Sequence, residues 1–184
     1  MACPLGGPGR SPRAQPASGL TWEESVYILV SMSTEAGTER ARYAWIPQVC
    51  LCVNLRMASR VVTQLYDEIF APTGLRSTQF PILLALGLRG SSTLTRLAET
   101  LAMDRTTLTR NLRPLEAKGW VRAMAGDDHR TRIVALTEAG RAVLDEALPY
   151  WERGHERVTE ALGEPFSSQL VAELKQTVDR LRER

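Results

Sequence analysis

Residues Ser91 to Gly140 constrain the fold more than any other part of the chain. Leucines and alanines at helical spacing predict one helix over Leu94–Ala102 and a second from an Asp104 cap to about Lys118. Two runs of β-forming residues, Trp120–Met124 and Thr131–Leu136, enclose a charged turn and predict a hairpin. The segment therefore predicts a helix-turn-helix followed by a β-hairpin wing.

The second of these helices has two chemically different faces. Leu108, Leu112 and Leu115 form an apolar row that suits a core. The opposite face carries cationic and hydroxyl side chains: Arg105, Thr106, Thr107, Thr109, Arg110 and Arg113. This division is typical of a recognition helix that enters the major groove of DNA.

The charge distribution favours the same interpretation. Residues 89–132 contain nine Lys and Arg against five Asp and Glu, whereas residues 133–184 contain seven against ten. Positive charge concentrated on one segment is what phosphate binding requires. Charge alone leaves a solvated basic surface as the alternative.

Helical segments flank this unit on both sides. Residues 1–45 are rich in Pro, Gly and Ser and are expected to be a disordered or weakly ordered extension. Residues 46–184 then form one domain, with a DNA-binding lobe at about 75–136 and dimerisation helices at about 47–71 and 137–182. The flanking helices have more apolar surface than one chain can bury, which predicts a homodimer. The fold class is mainly α, a winged helix-turn-helix with helical arms.

Several other classes of protein are disfavoured. No apolar run approaches the length of a membrane span, and no secretory signal is visible, so a cytoplasmic protein without membrane association is expected. The three cysteines Cys3, Cys50 and Cys52 do not make a disulfide framework. Two distant histidines give no metal site, and phosphate-binding loops and nucleophile elbows are absent from the sequence. Neither an enzyme nor a cofactor is expected.

The motifs together resemble a known family. They are the run LAMDRTTLTRNLRPLEAKGWV, the D-x-R pattern at Asp128–Arg130 and LTEAG at Leu136–Gly140. This combination resembles the MarR (multiple antibiotic resistance regulator) family over about residues 48–182. The resemblance implies a homodimeric transcriptional regulator, most simply a repressor, that binds a pseudo-palindromic operator in double-stranded DNA. It also implies release by a small-molecule effector, often an aromatic anion.

Roles for individual residues follow from the recognition-helix model. Thr106, Thr107 and Arg110 lie near the helix start, where side chains meet base edges, and Arg110 suits guanine. Four others are better placed for phosphates: Thr95, Arg96, Arg105 and Arg113.

The wing has its own expected contacts. The family pattern implies that Arg130 reaches into the minor groove while Asp128 pairs with it. Arg132 would add a phosphate contact. A simple salt bridge within the hairpin is the alternative for Asp128 and Arg130.

The signal that controls DNA binding is left open between alternatives. Cys52 coincides with the cysteine of peroxide-sensing family members and Tyr66 with one of their tyrosines, but Arg56 and Ser77 occupy the other two positions. A thiol-based peroxide sensor is therefore one alternative. Binding of an aromatic anion is the other, in a cleft that five residues would line: Trp45, Arg56, Arg60, Tyr66 and Trp151. A third alternative, a protein-interaction module that does not bind DNA, is distinguished by its weaker salt dependence.

Overall fold

The computed structural model describes residues 42–126 and 131–183. The chain divides into two compact units, Met1–Met57 and Ala58–Arg184. The helices are α1 (Ile46–Val49), α2 (Leu51–Phe70), α3 (Phe80–Arg89), α4 (Leu94–Thr100), α5 (Arg105–Ala117), α6 (Glu138–Leu162) and α7 (Phe166–Arg182). The strands are β1 (Ser91–Thr93), β2 (Val121–Ala125) and β3 (Arg132–Leu136). The expected mainly helical winged-helix fold is confirmed.

The first unit corrects the prediction of one long helix from Pro47. Helix α1 has a single turn, because Cys50 is extended, with ψ of 105°, and ends it. The Asn54 side chain bridges this break: its Nδ2 donates to the carbonyls of Pro47, at 2.7 Å, and Cys50, at 2.9 Å. Helix α2 therefore begins at Leu51, and no sequence pattern marked the break.

The second unit contains a core beneath the sheet and the helix-turn-helix. Its largest fully buried side chains are Phe70, Ile82, Leu83, Leu86, Leu97, Leu108, Leu115 and Val134. Phe70 at the end of α2 stacks on Phe80 at the start of α3, with ring centroids 5.0 Å apart. Helix α3 begins at Phe80.

The sheet has one more strand than the hairpin predicted. Its order is β1-β3-β2, and β1 pairs antiparallel with β3 through Ser92 and Val134. Thr93 also caps the next helix, since its hydroxyl accepts from the N–H of Arg96. The same three residues thus close the sheet and begin α4, which ends at Thr100, earlier than the predicted Ala102.

The junction between the wing and α6 is held by one threonine. The Thr137 hydroxyl donates to the carbonyl of Gly119, at 2.6 Å, and accepts from the N–H of Gly140, at 3.0 Å. A Cβ on Gly140 would collide with the carbonyl oxygen of Trp120. Thr137 as cap and glycine three residues later are therefore physical requirements of this turn. Helix α6 runs on past Pro149 to Leu162.

Helix α7 has no buried residue in this single chain. Five large apolar side chains on it are exposed: Phe166, Val171, Leu174, Val178 and Leu181. The last four have the spacing of an apolar seam between helices. None of the helices in the described part of the chain has the length and hydrophobicity that crossing a bilayer requires.

Candidate functional site

Helix α5 presents the two faces that its sequence predicts. Leu108, Leu112 and Leu115 are at most 2% exposed and fix the helix against the core. Arg105, Thr106, Arg110 and Arg113 are exposed on the other side. These four line a surface cleft of about 420 Å³ together with Leu94 and Thr109.

Within residues 42–126 and 131–183, no carboxylate pairs with the arginines of this face, because the one ion pair there joins Arg132 to Glu116. The guanidinium groups of Arg105, Arg110 and Arg113, and that of Arg96 on α4, therefore have no acidic partner in the described structure. Exposed guanidinium groups without an acidic partner are available to bind phosphate or guanine.

Asp104 sets where α5 begins. Its Oδ1 accepts from the N–H of Thr107 at 2.8 Å, and its Oδ2 accepts from the hydroxyl of Thr107 at 2.6 Å. These hydrogen bonds, the hydroxyl first, hold the pKa of Asp104 below its ordinary value because they stabilise the carboxylate. The cap fixes the first turn of α5, which carries Arg105 and Thr106.

Two threonines differ from the expected arrangement. Thr107, expected to face bases, is partly buried and its hydroxyl proton is committed to Asp104. Thr109 lines the cleft, and its hydroxyl donates to the carbonyl of Arg105 at 2.7 Å. Thr95 and Arg96 are exposed on the first turn of α4.

Arg132, expected to bind phosphate, lies at the base of the wing. Its Nη2 is 2.6 Å from Oε1 of Glu116 near the end of α5. The bridge ties β3 to the recognition helix. The other two wing residues of interest, Asp128 and Arg130, lie outside the described residues.

A cavity of about 370 Å³ lies in the second unit, away from the arginine face. Its apolar and aromatic walls come from Val62, Tyr66, Phe70, Phe80 and Trp151, and its polar wall comes from Thr63, Ser77 and Thr78. The Trp151 ring stacks on the His155 ring, 5.2 Å away and nearly parallel. Burial raises the pKa of the Tyr66 hydroxyl above its ordinary value. The volume is suitable for a small aromatic ligand.

The expected cleft residues are only partly brought together. Tyr66 and Trp151 line the cavity, whereas Arg60 is exposed and does not. Arg56 and Cys52 are exposed on the first turns of α2, in the other unit. Cys50 is partly buried at the break before α2.

Comparison with known proteins shows which family has this fold. The model of the MarR family matches residues 73–131. The multiple antibiotic resistance protein MarR of Escherichia coli is 27% identical over 128 residues, which are 69% of this chain and 84% of that protein. The structure of the Mycobacterium tuberculosis transcriptional regulator MosR in complex with DNA is 40% identical. It superimposes with a TM-score of 0.64 over 72% of this chain and 98% of that one.

The chain belongs to the MarR family. It is therefore a DNA-binding transcription regulator, and members of the MarR family are not enzymes. Another relative, the organic hydroperoxide resistance transcriptional regulator of Bacillus subtilis, is 29% identical over 99 residues, covering 53% of this chain and 67% of that protein. Membership of the MarR family favours DNA as the partner over the protein-interaction alternative.

Three features of this MarR-family chain were missed from sequence. Glu116 was not expected to pair with Arg132, although both are charged residues of the basic segment. The hydroxyls of Thr63, Ser77 and Thr78 were not expected in the cavity wall, because they come from two segments that only the fold brings together. Thr109 lies on the polar face of the predicted helix and could have been included among the candidate DNA-binding residues.

Proposed function

We propose that the protein is a repressor that binds a pseudo-palindromic operator as a homodimer and releases it when a small molecule occupies the cavity. The observation that carries this proposal is the face of α5 described above. It presents Arg105, Thr106, Arg110 and Arg113 to solvent on a helix fixed by three buried leucines. Membership of a family of DNA-binding regulators supports the same conclusion.

The exposed residues of α4 and α5 suit different parts of the DNA. Arg110 suits guanine, whose two major-groove acceptors match a guanidinium. Arg96, Arg105 and Arg113, with the hydroxyl of Thr95, suit phosphates and fix the register. Thr106 is free to donate or accept at a base edge.

The cap narrows what Thr107 can recognise. Its hydroxyl has one proton, which Asp104 accepts, so only its lone pairs are left for DNA. A phosphate oxygen can only accept hydrogen bonds, so it cannot bond to the lone pairs of the Thr107 hydroxyl. Thr107 therefore suits the amino group of adenine or cytosine, as long as the cap is intact.

The wing contact is proposed from the sequence. Arg130 would enter the minor groove beside the recognition helix, with Asp128 orienting it. The prediction that Arg130→Ala weakens operator binding without unfolding the protein tests this contact. Unchanged affinity at fixed salt concentration would rule it out.

The dimer is proposed from the unburied apolar residues of α7. A second copy of this chain would cover Val171, Leu174, Val178 and Leu181, which a single chain leaves exposed. A two-fold dimer places two recognition helices on one side of the DNA, which requires a pseudo-palindromic site. A ligand that prefers a dimer with differently placed recognition helices weakens DNA binding by its differential affinity.

The test begins with selection of bound fragments from the source organism's own DNA. On a selected site, Arg110→Ala should relax preference at one base pair and cost about 1–3 kcal/mol in binding. Arg113→Ala should weaken binding to all sequences and make the salt dependence less steep by about 1 in log–log slope. Arg157→Ala, an exposed arginine on α6, is the matched control. A wild-type DNA affinity that depends on neither the DNA sequence nor the salt concentration would contradict the proposal.

Oxidation of Cys52 is a second candidate for the releasing signal. Cys52 is exposed at the start of α2, next to a break in the helix at Cys50, and one relative is an organic hydroperoxide resistance regulator. The thiolate would attack the hydroperoxide, forming an S–O bond as the O–O bond breaks, and an alcohol would leave with a proton. The sulfenic acid so formed would alter the helix break at Cys50, between α1 and α2.

A gel shift with and without cumene hydroperoxide tests this candidate. Release from the operator should be abolished in Cys52→Ser and retained in Cys50→Ser, the matched control. Release that survives Cys52→Ser would rule out Cys52 as the sensor. The ligand proposal and the peroxide proposal are thereby tested separately.

A further inference from the structure

We infer that the cavity takes an uncharged aromatic molecule bearing a hydrogen-bonding group, and not the aromatic anion that the family resemblance suggests. The inference rests on the proposed function only in treating this cavity as the effector site. It concerns the chemistry of the eight side chains that line the cavity. Those side chains lie in a single unit of the structure.

Among the described residues, the lining has no group that would neutralise an anion. Five residues provide apolar or aromatic surface and three provide aliphatic hydroxyls, and none of the eight is Arg, Lys or His. Arg60, the cation of this unit that was expected there, is exposed and is absent from the lining. A carboxylate bound against this lining would gain no counter-ion from it to offset the hydration that it gives up on contact.

The surroundings of the cavity disfavour negative charge further. The N–H of Ser77, in the polar wall, donates to Oδ1 of Asp67 at 2.7 Å, so a carboxylate is hydrogen-bonded to the backbone of that wall. Burial raises the pKa of Tyr66, which also lines the cavity, so its phenolate is disfavoured there. The site therefore penalises both an added anion and one formed from its own tyrosine.

The polar wall suits a neutral molecule with a donor and an acceptor. Within the described structure, the hydroxyls of Thr63, Tyr66 and Thr78 have no hydrogen-bond partner, and that of Ser77 makes only a long bond of 3.3 Å to the carbonyl of Thr63. A hydroxyl both donates and accepts, so this wall matches an amide, a phenol or an alcohol. The volume of about 370 Å³ is at the small end of ligand sites and favours one or two rings.

Two probes of the same shape test the inference on the full-length protein. These are 4-hydroxybenzamide, which is neutral at pH 7.5, and 4-hydroxybenzoate, which is an anion. Binding is measured by calorimetry and by the change in Trp151 fluorescence, with Trp151→Phe identifying that signal. We expect the amide to bind at least about tenfold more tightly than the carboxylate.

Variants of the wall locate the binding. Tyr66→Phe and Thr63→Val should each weaken amide binding several-fold while leaving the melting temperature nearly unchanged. Thr177→Val on α7, away from the cavity lining, is the matched control and should bind as the wild type does.

The outcomes separate this inference from the proposed function. Tighter binding of the carboxylate, absence of binding by either probe, or wall variants that bind the amide normally would each overturn the inference. None of these results concerns the ligand-free protein on DNA. Failure of the ligand-free protein to bind any selected operator would instead overturn the proposed function, whichever probe binds the cavity.

Discussion

Arg132 and Glu116 hold opposite charges 2.6 Å apart at the base of the wing. Their side chains are 47% and 27% exposed, and pairs this exposed contribute about 0–1 kcal/mol to stability. A bridge this weak can exchange its carboxylate for a phosphate of DNA. Arg132 is thus a phosphate-binding candidate for which the carboxylate of Glu116 competes in the DNA-free protein.

Glu116→Gln should therefore strengthen DNA binding several-fold. The substitution removes the competing carboxylate, so that Arg132 gains about one phosphate contact and the log–log salt slope steepens by up to about 0.9. Fluorescence anisotropy with labelled operator at several salt concentrations measures both. Glu173→Gln on α7 changes the net charge equally and is the control. Weaker binding by Glu116→Gln would mean that the bridge positions the wing.

Gly140→Ala should destabilise the second unit by about 1–3 kcal/mol, the usual cost of overpacking. The added Cβ meets the backbone carbonyl of Trp120, which cannot rotate away as a flexible side chain can. Urea unfolding measures the loss in free energy of unfolding. Arg141→Ala, exposed on the same turn of α6, should cost under about 0.5 kcal/mol. Equal effects of the two substitutions would contradict the close approach at Gly140.

Among the helices and strands, α5 depends most clearly on its cap. The pKa of Asp104 is lowered from 3.8 because the Thr107 hydroxyl and then the Thr107 N–H donate to the carboxylate. A lowered pKa in the folded state stabilises the protein fully above the unfolded value and loses that effect as pH falls through the folded value. The cap should therefore weaken in acid.

Asp104→Asn should remove this acid sensitivity. The Asn oxygen still caps the helix but does not titrate, so the gap in melting temperature between wild type and variant should shrink as pH falls from 7 to below 3.8. Thermal unfolding followed by circular dichroism across that range measures the gap. Glu156→Gln, exposed on α6, is the control. A constant gap would show that Asp104 ionisation is not linked to folding.

Elements with strong local signals were predictable from sequence. The cap at Asp104, the buried row Leu108, Leu112 and Leu115, and the cap at Thr137 all follow from spacing and residue type. Strand β1 was missed because Ser91–Thr93 has no apolar alternation, and its pairing with β3 is a contact between distant segments. The break at Cys50 was missed because its neighbours all suit a helix, and the Asn54 side chain that bridges it gives no periodic signal.

The functional residues show the same contrast between local signals and contacts that join distant segments. The arginine face of α5 was predictable because one helix presents it. The ion pair of Arg132 and the hydroxyl wall of the cavity were not, since each joins residues from separate elements. Local sequence therefore predicts the candidate DNA-binding residues more fully than it predicts the proposed effector site.

For the molecule as a whole, α7 links the surface that we propose for dimerisation to the helix-turn-helix. Its exposed apolar row suits a second copy of the chain, and at its end Nη2 of Arg182 donates to the carbonyl of Glu99 at 2.6 Å. That carbonyl lies at the end of α4, the helix that supports α5. A shift of α7 in the dimer would thus reach the helix-turn-helix directly.

Val178→Asp should disrupt the proposed dimer, because it places an unpaired carboxylate in the apolar row that the second copy would bury. Sedimentation velocity measures the molecular mass, and operator affinity should fall by on the order of a hundredfold, because two half-sites are no longer bound together. Gln176→Asp adds the same charge outside that row of α7 and should leave both unchanged. A dimer that survives Val178→Asp would show that α7 does not form the interface, and the two-fold arrangement of recognition helices would need another surface to hold it.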